Sequence, residues 1–116
     1  MDSKQLQART KAFALRIIRL VAALPKSRLG DVLGRQLLRS GISIGANYRE
    51  ALRASSRKQF ISTLEIVLRE ADESLYWLEL IAESAVMKPS RLAPLTVECH
   101  ELVAILAATI RTTKGR

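Results

Sequence analysis

The sequence predicts an all-α protein, an up-down-up-down four-helix bundle, on three observations. Apolar residues recur at spacings of three, four and seven along four long segments, the period of an amphipathic helix. The chain is 48% hydrophobic but only 4% aromatic, so its apolar content is mainly Leu, Ile, Val and Ala, which favours packed helices. Five glycines and three prolines are too few to punctuate a many-stranded β fold. At 116 residues the chain reads as one domain, 1–116, long enough for a single core.

The first helix is expected over about 3–24. Leu6, Phe13, Ile17, Leu20 and Leu24 line one face. Pro25 ends it, because the residue before a proline is pushed out of helical angles. The second is expected over about 28–54, with Leu33, Leu37, Gly41, Ile44, Tyr48 and Leu52 on its apolar side. Ser56 and Gln59 have the S-x-x-Q spacing of a capping box and open the third, over about 56–86. Its core face reads Phe60, Leu64, Val67, Ala71, Leu75, Leu78 and Ala82. Met87 to Pro89 form the last turn, and Ser90 is the expected N-cap of a fourth helix over about 90–113. Pro94 falls near its start, where a missing N–H costs least. Leu95, Cys99, Leu102, Leu106 and Ile110 make the fourth stripe. Short connections between the four imply antiparallel neighbours.

Charge is unevenly spread. Residues 1–58 hold 13 Lys/Arg against 3 Asp/Glu, whereas residues 59–116 hold 6 against 8. Such polarity serves an anionic partner or orients subunits in an assembly. On the second helix Arg28, Arg35, Arg39, Arg49 and Arg53 fall opposite the apolar stripe, within an arc of about 80° if the helix is continuous. One cysteine allows no internal disulfide, which fits a reducing compartment. The N-terminal Met-Asp-Ser-Lys-Gln lacks the apolar region of a signal peptide. No apolar run approaches the 18 or so residues that cross a bilayer, and Arg16 and Arg19 interrupt the richest one. The expectation is a cytoplasmic protein with no membrane partner.

The third helix carries more apolar surface than a monomer needs. Ile66, Trp77 and Leu80 lie on a second arc away from its core stripe, with Tyr76 beside them, and Ile42 stands among the arginines of the second helix. Together these five predict a buried intersubunit surface.

The pattern Gln36-Leu37-Leu38-Arg39-Ser40-x-x-Ser43-Ile44-x-x-Asn47-x-x-Glu50-Ala51 resembles the signature of the bacterial four-helix-bundle family named after 23S ribosomal RNA intervening sequences. Arg57-Lys58-Gln59-Phe60, Glu65 to Ser74 and Trp77-Leu78 are similar to that family's third helix, and the resemblance covers about residues 6–86. It implies a pentameric assembly of four-helix subunits with a basic surface. It also extends to the accessory variability determinant of diversity-generating retroelements, a nucleic-acid-binding partner of a reverse transcriptase. A homo-oligomer, RNA or DNA, and a reverse transcriptase are the partners it suggests. The family name describes a genomic location, and fold and assembly follow from it more directly than activity does.

Each candidate site has a plainer competitor. Arg39 and Arg49 can pair with Glu70 or Glu73, or with a neighbouring subunit, yet five arginines face only Asp31 and Glu50 locally. Arginine's planar fork suits bidentate phosphate or carboxylate contacts. Single-strand readers add stacking aromatics, and Phe13, Tyr48, Phe60, Tyr76 and Trp77 are mostly destined for core or interface. Binding to the nucleic-acid backbone, with little sequence preference, is therefore expected. Gln36, Ser43 and Asn47 read as a hydrogen-bonded seam between helices, and Ser40, Gly41 and Gly45 as points of close backbone approach.

Catalysis finds no support. Cys99 and His100 are adjacent, so on a helix they point about 100° apart and cannot act as nucleophile and base. The Glu-x-x-His spacing of di-iron bundles fails because position 97 is Val. The Arg-x4–6-His motif of HEPN-type ribonucleases fails because positions 93–95 are Ala, Pro and Leu. Glu65, Asp72, Glu79 and Glu83 repeat along one outer arc, as solvated helix faces do. The sequence thus reads as a non-catalytic, homo-oligomeric bundle without metal or cofactor, binding nucleic acid through its arginine face. The alternative is a protein-interaction scaffold or accessory subunit whose arginines serve assembly.

Overall fold

The computed structural model describes all residues, Met1–Arg116. Four helices follow one another: α1 (Ser3–Ala22), α2 (Arg28–Ala51), α3 (Arg57–Glu83) and α4 (Pro89–Lys114). They form an elongated bundle of 47 × 20 × 19 Å with antiparallel neighbours. Gly45 lies against Thr10 while Gly34 lies against Val21 and Leu24, so α1 and α2 run in opposite directions. Ser40 meets Ser74 across α2 and α3, and Cys99 and Arg57 reach Ala71 and Thr113 across α3 and α4. α1 and α4 close the ring most loosely. There Arg9 spans the gap to Glu98 and Glu101, each at 2.6–2.7 Å.

Most of the expected stripes form the core. Leu6, Phe13, Ile17 and Leu20 of α1 are buried, as are Leu33, Leu37, Ile44 and Tyr48 of α2. Leu64, Val67, Ala71 and Leu78 of α3 meet Leu95, Cys99, Leu102, Leu106 and Ile110 of α4. Thr10 fills the gap between Leu6 and Phe13, fully buried; its hydroxyl donates to the Gln7 carbonyl, so the site tolerates a polar side chain. Leu24, Phe60, Leu75 and Ala82 are only half-buried, and Leu52 is exposed, because it follows the end of α2. Gly41 brings α1 close: a Cβ there would stand 2.9 Å from two Ile17 carbons.

Helix ends differ from expectation in instructive ways. α1 stops at Ala22, two residues early, and α2 at Ala51, three residues early, so Arg53 belongs to a turn. α1 opens with a capping box the stripes do not reveal: Asp2 accepts from the Gln5 N–H and Gln5 Oε1 from the Asp2 N–H. Ser56 does accept from the Gln59 N–H, but the Gln59 side chain accepts from Ser55 instead of completing the box. Ser90 is not the N-cap of α4. Lys88 holds that position without a side-chain bond, because Pro89 starts the helix and needs no N–H partner. The α3–α4 turn spans residues 84–88, and Met87 is buried within it.

One composition-based expectation is corrected. α4 is long and apolar enough to cross a membrane by length and composition. Its outward positions carry small Ala93, Ala104, Ala107 and Ala108 where charges would ordinarily stand. Leu92, Leu95, Leu102, Leu106 and Ile110 are buried in the bundle, Val103 and Ile105 are half-buried and Val97 is exposed, so part of this apolarity serves the core.

Candidate nucleic-acid interface

α2 keeps its apolar stripe against the other helices, and that orientation leaves Arg28, Arg35, Arg39 and Arg49 exposed on its outer side, with exposed Arg53 in the turn beyond. The five do not share one environment. Arg39 is committed within the chain, with Nη2 2.6 Å from Glu73 and Nη1 3.3 Å from Glu70. The hydrogen bond from Arg39 holds the Glu73 carboxyl below the usual carboxylate range and raises the guanidinium in return. Arg28, Arg35, Arg49 and Arg53 make no ion pair with a carboxylate of their own chain. Four unpaired guanidiniums along one helix side and its following turn give a strongly cationic surface.

Shallow hollows flank this surface. Arg49 borders a groove of about 180 Å³ between α1 and α2, with Lys11, Ala14, Ile42, Gly45 and Ala46. Arg49 and Arg53 border another of about 260 Å³ toward the start of α3, with Glu50, Gln59 and Thr63. Arg35 stands over a third of about 170 Å³ near Leu24 and Gly34. Lys11 is a cation that α2 alone does not reveal. The close α1–α2 approach at Gly41 and Gly45 brings it into the same groove, and its spacing from Ala14 was the available signal. The largest hollow, about 610 Å³, lies elsewhere, between the start of α3 and the end of α4. Its Arg57 is already spent on the carbonyls of Thr113 and Lys114, where a cation satisfies the α4 C-terminus.

The polar flank serves its own helix. Ser43 donates to the Arg39 carbonyl at 2.6 Å and Asn47 to the Ser43 carbonyl at 2.9 Å. The interhelical seam falls one turn away, where the buried hydroxyls of Ser40 and Ser74 stand 2.8 Å apart. Gln36 is half-buried between these faces.

The five apolar residues set apart from the core stripe divide between two faces. Ile42 opens into the α1–α2 groove, where exposed Leu15 and Ile18 extend the apolar surface along α1. Ile66 and Tyr76 are exposed on α3, and Tyr76 meets Trp77 edge-on with ring centroids 5.2 Å apart. Trp77 and Leu80 are half-buried against the bundle's own core, because their arc turns partly toward α2. The Trp77 indole N–H is enclosed without a hydrogen-bond partner, although its proximity contributes to holding Glu73 low.

The residues tested for chemistry lie apart. Cys99 is fully buried with its thiol toward the Ala71 carbonyl, and burial pushes it up to about 12. His100 is exposed. No three His, Cys, Asp or Glu side chains converge where they could hold a metal ion. Glu65 pairs with Lys114, whereas Asp72, Glu79 and Glu83 are exposed on α3 without ion pairs.

An antiparallel four-helix bundle with one cationic side thus defines the class. Residues 4–108 match the 23S rRNA-intervening sequence protein family, and the chain belongs to that family. Among solved structures, a protein of unknown function from the S23 ribosomal protein family of Bacteroides thetaiotaomicron is similar, with 36% identity and a TM-score of 0.89. The match covers 96% of this chain and 99% of that one. No curated protein matches.

Proposed function

We propose that this chain is a non-catalytic, self-associating helical bundle that binds the sugar–phosphate backbone of nucleic acid through Arg28, Arg35, Arg49 and Arg53. The observation that carries this reading is the absence of an intramolecular partner for four exposed arginines on one side of the molecule. Arginine's fork suits phosphate. Family membership supports the reading through the nucleic-acid-binding relatives that the sequence resemblance implies, and those relatives also supply five as the subunit number. Arg39 leaves the set, because its charge is met by Glu70 and Glu73. The surface has no stacking platform, since Tyr76 and Trp77 lie on α3 and Phe13 and Tyr48 are buried. Backbone contacts without base readout follow.

The test is a double charge reversal, Arg35→Glu with Arg53→Glu, at two exposed positions that make no ion pair within the chain. Binding to unrelated RNA and DNA sequences should nearly vanish while helix content and assembly persist. Binding that survives in an intact assembly would contradict the reading and leave the scaffold role. The non-catalytic part fails separately if nuclease turnover copurifies with the protein and disappears on His100→Ala.

A further inference from the structure

A partly apolar groove and an exposed aromatic side chain, in opposite electrostatic settings, lie on different faces of one subunit. The first is the α1–α2 groove, where Ile42 and Ala14 are bracketed by Lys11 and Arg49, with Ile18 one turn along α1 from Ala14. α1 and α2 together carry nine Lys/Arg against two Asp/Glu. The second is the outer arc of α3, centred on Tyr76, a residue 54% exposed whose ring is braced edge-on by Trp77. Asp72 and Glu79 are its helical neighbours at i−4 and i+3, with Glu83 at i+7. From Glu65 to Glu83, α3 holds six carboxylates against the single cation Arg69.

We propose that the Tyr76 face of one copy docks into the Lys11–Arg49 groove of a second copy. The proposal rests on the self-association reading above and names its two surfaces. Charge complementarity selects a second copy as the occupant: each patch would repel itself, and each finds its opposite on the same chain. A rigid tyrosine is a common interface anchor, and its ring between Lys11 and Arg49 gains cation–π attraction where water is excluded. Unlike patches that pair make a heterologous contact, which propagates head to tail and closes as a ring. The contact also divides the arginines by role. Docking withdraws Arg49 from the phosphate-binding set and gives it to the subunit interface, Arg39 braces α3, and exposed Arg28, Arg35 and, in the turn beyond α2, Arg53 stay open to phosphate.

Two variants, each with one damaged face, test this. Lys11→Glu with Arg49→Glu reverses the groove, and Asp72→Lys with Glu79→Lys reverses the α3 face. Light scattering with circular dichroism as the folding control should report each variant alone as a helical monomer. Mixed at equal concentration, they should form a heterodimer of twice the monomer mass and nothing larger, because one good groove meets one good Tyr76 face. Should a charge variant lose helicity, Ala46→Arg and Tyr76→Ser replace the two changes at exposed positions. A wild type that is itself monomeric removes the self-association reading and this docking together. An oligomeric wild type whose variants stay assembled alone, or fail to pair when mixed, overturns the docking and leaves self-association standing.

Discussion

Cys99 illustrates how far one residue's chemistry is set by packing. Its thiol is fully enclosed, lies 3.3 Å from the Ala71 carbonyl oxygen and is held up to about 12, chiefly by burial. The thiolate that reacts with disulfide reagents is therefore scarce at neutral pH. Native protein should resist a soluble aromatic disulfide reagent, and chaotrope should release one thiol per chain. Prompt reaction of the folded protein would show that α4 opens locally. Arg39 makes a different case, because its partner can be titrated. Glu73 has its folded-state value lowered, so the pair stabilises the fold above the unfolded carboxylate value of about 4.3 and loses that share as pH falls through the folded value. The Arg39 side chain is 53% exposed, which limits the pair to less than about 1 kcal/mol. Denaturant curves for wild type and Arg39→Ala should differ by that small amount at pH 7 and converge in acid, once Glu73 is protonated in the folded protein as well. A gap that persists in acid would mean Arg39 acts by packing alone.

At the scale of the helix, stripes and their period were legible, whereas ends and neighbours were not. Spacing placed Phe13, Leu37, Val67 and Leu102 in the core, because a helix must bury one continuous face. It could not say that α2 ends before Arg53, since propensity near a terminus is overridden by how the following turn packs. Nor could it separate Ile42 from Tyr76, which requires knowing that Ile42 turns toward α1. Arg39 was foreseen as a possible partner of Glu70 or Glu73, but only antiparallel packing decides between that and phosphate. The turn after α3 holds a feature no periodicity marks. Ala85 has φ of 60°, the left-handed conformation that follows many helix ends and favours glycine. A Cβ there costs about 1–2 kcal/mol, part of which glycine returns through unfolded-state entropy. Ala85→Gly should raise unfolding stability by up to about 1 kcal/mol with binding unchanged. A loss of stability would show that the turn relaxes to another conformation in solution.

At the scale of the whole molecule, charge is partitioned by helix. The basic half builds α1 and α2, and the acidic surplus lies on α3, which holds six carboxylates against three cations, while α4 is close to balanced. The hydrophobic core accounts for the bundle, and the partition goes beyond what the core needs. In the proposed assembly this partition would give each subunit one basic and one acidic contact and leave an arginine crest repeated around it. Repetition matters energetically, because weak single-crest contacts combine through effective concentration.

The central claim is that Arg28, Arg35 and Arg53 neutralise phosphates, and its most direct measurement is the salt dependence of duplex binding. Each phosphate contact releases counterions and contributes about −0.9 to the slope of log K against log salt concentration. The wild type should give a steep negative slope, similar for unrelated duplexes. Arg35→Gln should flatten it by about 0.9 for each subunit in contact, with Arg28→Gln and Arg53→Gln adding like amounts. A slope unchanged by these substitutions, or no duplex binding even at low salt, would contradict the account.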